Sequence, residues 1–378
     1  MRQRARVRRL AGIMWLTLAA LLASPAEAQE HQAVYRVEEL ARGLKAPWAL
    51  VFLPGNEGLL ITEKHGTLRR WKGGGLEPDS VPGGPANVLQ AHDAGLLDLA
   101  LDPAFTENRL VYLSFVEGTD SANRTALFRA RLDGTRLVDG RVIFRASPDK
   151  AGPAHPGGRI LYLPDQTLLL TIGEGYNYRT QAQSLSSDLG KIVRLNRDGT
   201  IPQDNPFRQN SSARPEIYSY GHRNPQGIVW DPRDSTIWEH EHGPKGGDEI
   251  NRLLPGRNYG WPTTTYGIDY DNTVISQLRE APGIEGPRVI WVPSIAPSGF
   301  ALYLGDRFPD WTGDFFVGAL AGKHLRRVRL RQGEAVLQEV LLKELDVRVR
   351  DVRAGPDGFL YLLTDDESDG RLIRLVPR

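Results

Sequence analysis

Residues 168–196 read LLLTIGEGYNYRTQAQSLSSDLGKIVRLN. A short apolar run enters, a Gly-rich polar excursion follows, and the chain returns as GKIVRLN with aliphatic and basic side chains in near alternation. A period of two marks a strand with two chemically different faces, and the apolar entry is too short for a packed helix. The stretch is therefore a pair of strands joined at one end by a long polar loop.

The same unit recurs five times. LLITEKHGTLRRW begins at Leu59, LVYLSFVEG with ALFRARL at Leu110, and TIWEHEHGPKGGDEINRL at Thr236. DFFVGALAGKHLRRVRL begins at Asp314 and FLYLLTDDESDGRLIRLVP at Phe359. Turn formers such as Asp198-Gly199 and Pro356 to Gly358 lie between units. With 40 Gly and 26 Pro in 378 residues, the chain is built for many corners. Six hairpin units predict an all-β fold, a six-bladed β-propeller of four-stranded antiparallel sheets. A sandwich or two separate β domains is the competing arrangement. In a propeller the polar excursions of successive units, IGEGYNY, EHEHGPKGGDE, GALAGK and TDDESDG, converge on one mouth of the axial channel.

Residues 1–28 stand apart from this pattern. Five arginines precede an apolar stretch, which ends in an Ala-x-Ala pattern at Ala26 to Ala28. That layout predicts a secretory signal peptide cleaved after Ala28, a periplasmic or secreted product, and a single domain over 29–378. The pair Arg8-Arg9 raises a twin-arginine route. The leader carries five Arg and one Glu, so removing it turns the formal charge of +1 into about −3. The basicity belongs to targeting, and nothing points to a nucleic-acid partner. No later stretch is long and apolar enough for a membrane span. The absence of cysteine excludes thiol catalysis, thiolate metal sites and c-type haem attachment.

Several segments carry chemistry. His155 in AHPGGR has two glycines close behind it and could act as a base, bind a ligand or simply shape a loop. Glu174 could bond that histidine and fix its tautomer. Arg223 and Asn224 in GHRNPQG offer a rigid donor fork beside an amide. Arg348 and Arg350 share a strand face, which requires an anion opposite them: a ligand, or Asp and Glu on adjacent strands. In EHEHGPKGGDE the two histidines, His240 and His242, do not complete a zinc set, whereas Gly and Pro expose carbonyl oxygens suited to a hard ion.

These residues sit in an ordered series: GLLDLALDPAF, HPGGRI, GHRNPQG, EHGPKGGDEIN, GRNYGWP, WVPSIAPSG, and RVRDVRAGPDG with YLLTD. The series resembles the soluble quinoprotein glucose dehydrogenases and aldose sugar dehydrogenases, from Ala46 to the end of the chain. The resemblance implies a six-bladed propeller, pyrroloquinoline quinone (PQQ) and Ca2+ as cofactors, and oxidation of the anomeric carbon of an aldose to a lactone by hydride transfer to the quinone. It implies His155 as general base, Glu174 as its orienting carboxylate, and Arg223 and Asn224 near the reactive quinone oxygens. Arg348, Arg350 and Ser294 would hold the cofactor, with Ca2+ on the backbone oxygens of Gly243 and Pro244. A second Ca2+ is implied at Glu249 and Tyr259.

Departures from the glucose-oxidising pattern fall at Asp93 and His242, where that branch has glutamines, and at Ala321, where it has a lysine that Lys323 could replace in part. Pro156 is a further departure. An extra negative charge at Asp93 would need a proton or a partner. The external electron acceptor is unspecified, and the chain is expected to be a monomer or homodimer. Competing functions on the same fold are a calcium-dependent lactonase and a non-catalytic carbohydrate- or protein-binding propeller.

Overall fold

The computed structural model describes residues 35–55 and 57–378. The expected signal peptide lies outside the described residues. Twenty-four strands form six four-stranded antiparallel sheets, and the only α-helix among the described residues is a single turn, Phe105–Asn108. The fold is a six-bladed β-propeller, as the hairpin units predict.

Each of the six hairpins forms the middle pair of one blade. The opening stretch supplies Thr167–Ile172 and Lys191–Asn196, paired through Leu168 with Leu195 and Leu170 with Val193. An inner strand precedes each pair: Pro47–Phe52, Leu96–Leu101, Ile160–Tyr162, Pro225–Asp231, Pro297–Leu302 and Val349–Ala354. These six pack side by side around the axis. The outer strands range from the two residues Gly75–Leu76 to the ten residues Arg136–Arg145. The last blade takes its outer strand from the N-terminal side, with Tyr35–Leu44 pairing Gly370–Pro377 from Tyr35↔Pro377 to Leu44↔Gly370. That pairing closes the ring and ties together the two ends of the described chain.

Burial follows from blade stacking. Middle strands are covered on both faces, so Thr167–Ile172 is buried throughout, whereas the outer strand Glu334–Leu341 alternates exposed and half-buried positions. Apolar clusters fill the spaces between blades, with Leu113 and Phe115 between the first and second and Leu170 and Val193 between the second and third. No helix among the described residues is long and apolar enough to cross a membrane.

Candidate active site

At one end of the channel the loops within and between blades enclose a cavity of about 590 Å³. Asp93, His155, Asn224, His242, Arg348 and Arg350 all line it. Asp93, His155, Asn224 and His242 come from four different connections and Arg348 and Arg350 from the start of the inner strand Val349–Ala354, so only ring closure brings them together.

His155 sits at φ 49°, a left-handed conformation uncommon for a non-glycine residue. The glycines after it make this path possible. Gly157 has φ +67°, and a Cβ there would lie 2.7 Å from the Thr171 carbonyl oxygen. Gly158 has φ +103°, with Leu97 Cδ1 2.4 Å from the corresponding position. Asn224 Oδ1 accepts from the Gly157 amide at 3.1 Å and fixes the turn.

His155 Nδ1 is 3.1 Å from Glu174 Oε1, and both side chains are buried. Burial and the nearby Arg223 charge push the imidazole well below its usual range, so it is neutral. Burial pushes the Glu174 carboxyl up to about 7. Its second oxygen, Oε2, is buried without a hydrogen-bond partner. Asp93 has its partner: Oδ1 lies 3.1 Å from His92 Nδ1, and the His155 amide donates to Oδ2 at 3.4 Å. Burial pulls this carboxyl up, but the neighbouring His92 and Arg350 and the hydrogen bond from the His155 amide outweigh it and leave Asp93 below its usual value.

Arg348 and Arg350 meet one acid. Their Nε atoms donate to Asp365 Oδ2 at 2.7 Å and Oδ1 at 3.0 Å. Burial alone would raise Asp365, but the charges of Arg350 and Arg348 hold it at about 2. Two cations share one hydrogen-bonded anion at the cavity wall, with Asp93 the other carboxylate that Arg350 acts on. Asp365 was legible only by comparing the units, since Glu63, Glu241 and Asp365 stand at or just past the end of the corresponding strand in three hairpins. Trp48, Lys64, Tyr176, Gln226 and Tyr270 also line the cavity, with no individual signal in the sequence.

Arg223 is buried with its Nη1 donating to the Gly243 carbonyl at 2.8 Å, and its guanidinium lies 5.4 Å from the centre of the Trp261 ring. His242 Nε2 lies 2.7 Å from the Pro297 carbonyl, and burial pushes this ring down to about 3. The loop from Gly243 is anchored by Asp248, which accepts from the amides of Gly243, Ile295 and Ala296 and from the Ser294 hydroxyl. Ser294 is thus committed to Asp248 and is not among the cavity-lining residues. Lys323 also lies outside the lining, paired with Asp346 at 3.1 Å on the surface.

The chemistry of the site can be tested against both implied cofactors. An acidic planar quinone matches the two guanidinium groups that Arg348 and Arg350 bring to the cavity wall. For Ca2+, Arg223 occupies one of the two lone pairs of the Gly243 oxygen, and the second suits a hard ion. Glu249 and Tyr259 line a separate cavity of about 360 Å³ with Glu280 and Glu285, a carboxylate-rich setting of the same kind. The Tyr259 hydroxyl is engaged by Arg252 and Leu254 backbone groups, so its phenol is not a spare ligand. Among the described residues, His222, Glu239 and Glu241 come close enough to share an ion, and none lines the axial cavity.

The sequence model for glucose/sorbosone dehydrogenases matches residues 44–374. The chain belongs to that family. Aldose sugar dehydrogenase YliI of Escherichia coli is 43% identical over 353 residues, covering 92% of this chain and 94% of the relative. A solved glucose dehydrogenase structure superposes with a TM-score of 0.87 at 45% identity, over 90% of this chain and 99% of the other. The PQQ-bound aldose sugar dehydrogenase of Streptomyces coelicolor gives 0.74 at 28% identity, over 91% and 98%. Family membership thus agrees with the fold and extends across all six blades.

Proposed function

We propose that this family member is a PQQ- and calcium-dependent aldose dehydrogenase that oxidises the anomeric carbon to a lactone. The observation carrying this reading is that His155, held by buried Glu174, lines the same cavity as the Arg348–Arg350 pair. Bound there, the quinone would supply a two-electron acceptor that no side chain provides.

With Glu174 ionised, His155 Nδ1–H donates to it and Nε2 remains the basic nitrogen, able to take the proton of the anomeric hydroxyl. The Glu174 charge stabilises the imidazolium that results. Arg348 and Arg350 would hold the acidic groups of the cofactor, and Asn224 and Arg223 would stand near its reactive edge. Asp93, drawn below its usual value by its neighbours, keeps a negative charge beside His155 that also favours the protonated imidazole. Gly243 and Pro244 would offer carbonyl oxygens to Ca2+, while Glu249 would serve the second ion. Export to the periplasm and donation to an external acceptor belong to the same proposal.

Dye-coupled oxidation of an aldose panel tests it, using protein with and without PQQ and Ca2+. Turnover is expected only when both are present. Equal turnover without the quinone, or none with any aldose, would overturn the assignment.

A further inference from the structure

Beyond His155 the cavity opens along aromatic rings. The Tyr176 ring meets His155 edge-on with centroids 5.2 Å apart, and the Tyr270 ring lies 6.4 Å beyond Tyr176 with planes 28° apart. Relative exposure rises outward, from 7% at His155 to 38% at Tyr176 and 52% at Tyr270. Both tyrosines line the cavity. A molecule sandwiched between two rings needs at least about 7 Å between their planes, because each carbon contact takes about 3.5 Å. Nothing fits between these rings, so they offer their surface jointly to whatever enters.

The surface is held in place. Tyr176 has φ 68°, a conformation a bulky residue keeps only when its surroundings enforce it. Tyr270 belongs to the long insertion of the fourth blade, and its hydroxyl is 3.4 Å from Arg223 Nη2. One residue earlier, Asp269 pairs with Arg179 at 2.7 Å, linking the insertion to the loop that carries Tyr176. The Lys245 amide donates to the Ile268 carbonyl at 3.1 Å, and Lys245 Nζ bonds Asn272.

We propose that Tyr176 and Tyr270 form a subsite for the second sugar ring of an oligosaccharide whose reducing end lies at His155. The C–H face of a pyranose is apolar and weakly positive, and an aromatic face is apolar and negative, so the two stack. An oligosaccharide oxidised at its reducing end must direct its remaining rings away from the base towards the mouth, and the tyrosines lie along that exit. The proposal rests on the dehydrogenase reading for the placement of the reducing end, but its binding prediction is independent of turnover.

Calorimetric titration separates the two. Glucose, maltotriose and cellotriose are titrated into the protein with and without PQQ and Ca2+, and into Tyr270→Ala and Tyr270→Phe, with circular dichroism to verify folding. At least one trisaccharide should bind 10-fold or more tightly than glucose. Tyr270→Ala should reduce that preference to within about threefold, while Tyr270→Phe retains most of it. Tight trisaccharide binding without turnover would sustain the subsite and defeat the dehydrogenase reading. Equal affinities in the unaltered protein, or an unchanged preference in a folded Tyr270→Ala, would overturn the subsite.

Discussion

Two clusters of charge lie near the axis and are managed in opposite ways. Below the cavity, Arg159 Nη1 is 2.9 Å from Asp351, Arg353 bonds Asp351 at 2.9 Å and Asp98 at 2.7 Å, and Arg159 stacks over Trp48 at 3.9 Å. The remaining carboxylate positions are engaged too, with the Leu50 amide donating to Asp351 and the Ile160 amide to Asp98. This network joins inner strands of different blades. Above it, Glu174 retains an oxygen without a partner, His155 is neutral, and two arginines share one aspartate. Complete pairing suits a fixed support. Incomplete pairing leaves capacity for a proton and an anionic ligand.

The sharpest way to separate the two clusters is to remove one member of each. His155→Ala should lower kcat by about 10²- to 10⁴-fold, the usual contribution of a positioned acid–base group, with little change in unfolding midpoint. Steady-state kinetics beside thermal unfolding checks both halves. Asp351→Ala should do the converse and destabilise the fold by about 3–5 kcal/mol, because Arg159 and Arg353 lose a buried partner. Denaturant unfolding measures that loss.

Glu174→Gln probes the incomplete pairing itself. The folded chain holds the Glu174 proton more tightly than the unfolded chain, so the associated stability is complete below the ordinary carboxyl range and is lost as pH rises towards 7. Removing that loss should make the variant gain on the parent, by on the order of 1–3 kcal/mol, between about pH 5 and about pH 8. Its kcat/KM should also lack the rise near pH 7 expected as Glu174 ionises in the parent. A parallel pair of stability curves would show that the carboxyl is not perturbed. The smallest effect belongs to Lys323→Ala, an exposed ion pair worth under about 1 kcal/mol, with PQQ affinity unchanged within about twofold.

These contrasts also mark what the sequence could disclose. The middle strands were legible because each hairpin repeats its own apolar and turn pattern locally. The outer strand Gly75–Leu76 has two residues, too few for a period to register. Arg348 and Arg350 were readable as a pair that required an anion, yet Asp365 stands out as that anion only when the hairpin units are compared. Ser294 and Lys323 show the opposite problem. Resemblance offered both to the cofactor, whereas Asp248 and Asp346 engage them in the fold. Tyr270 came from an insertion whose path no local pattern specifies.

Titration of the purified protein with PQQ, followed by quinone absorbance in the presence and absence of Ca2+, tests the central claim most directly. The predicted result is saturable one-to-one binding that needs Ca2+ and weakens by about 10-fold or more in Arg350→Met, the loss expected for a charge-assisted contact. Absence of saturable binding, or equal affinity in Arg350→Met, would contradict the account of the incompletely paired cluster as a cofactor site.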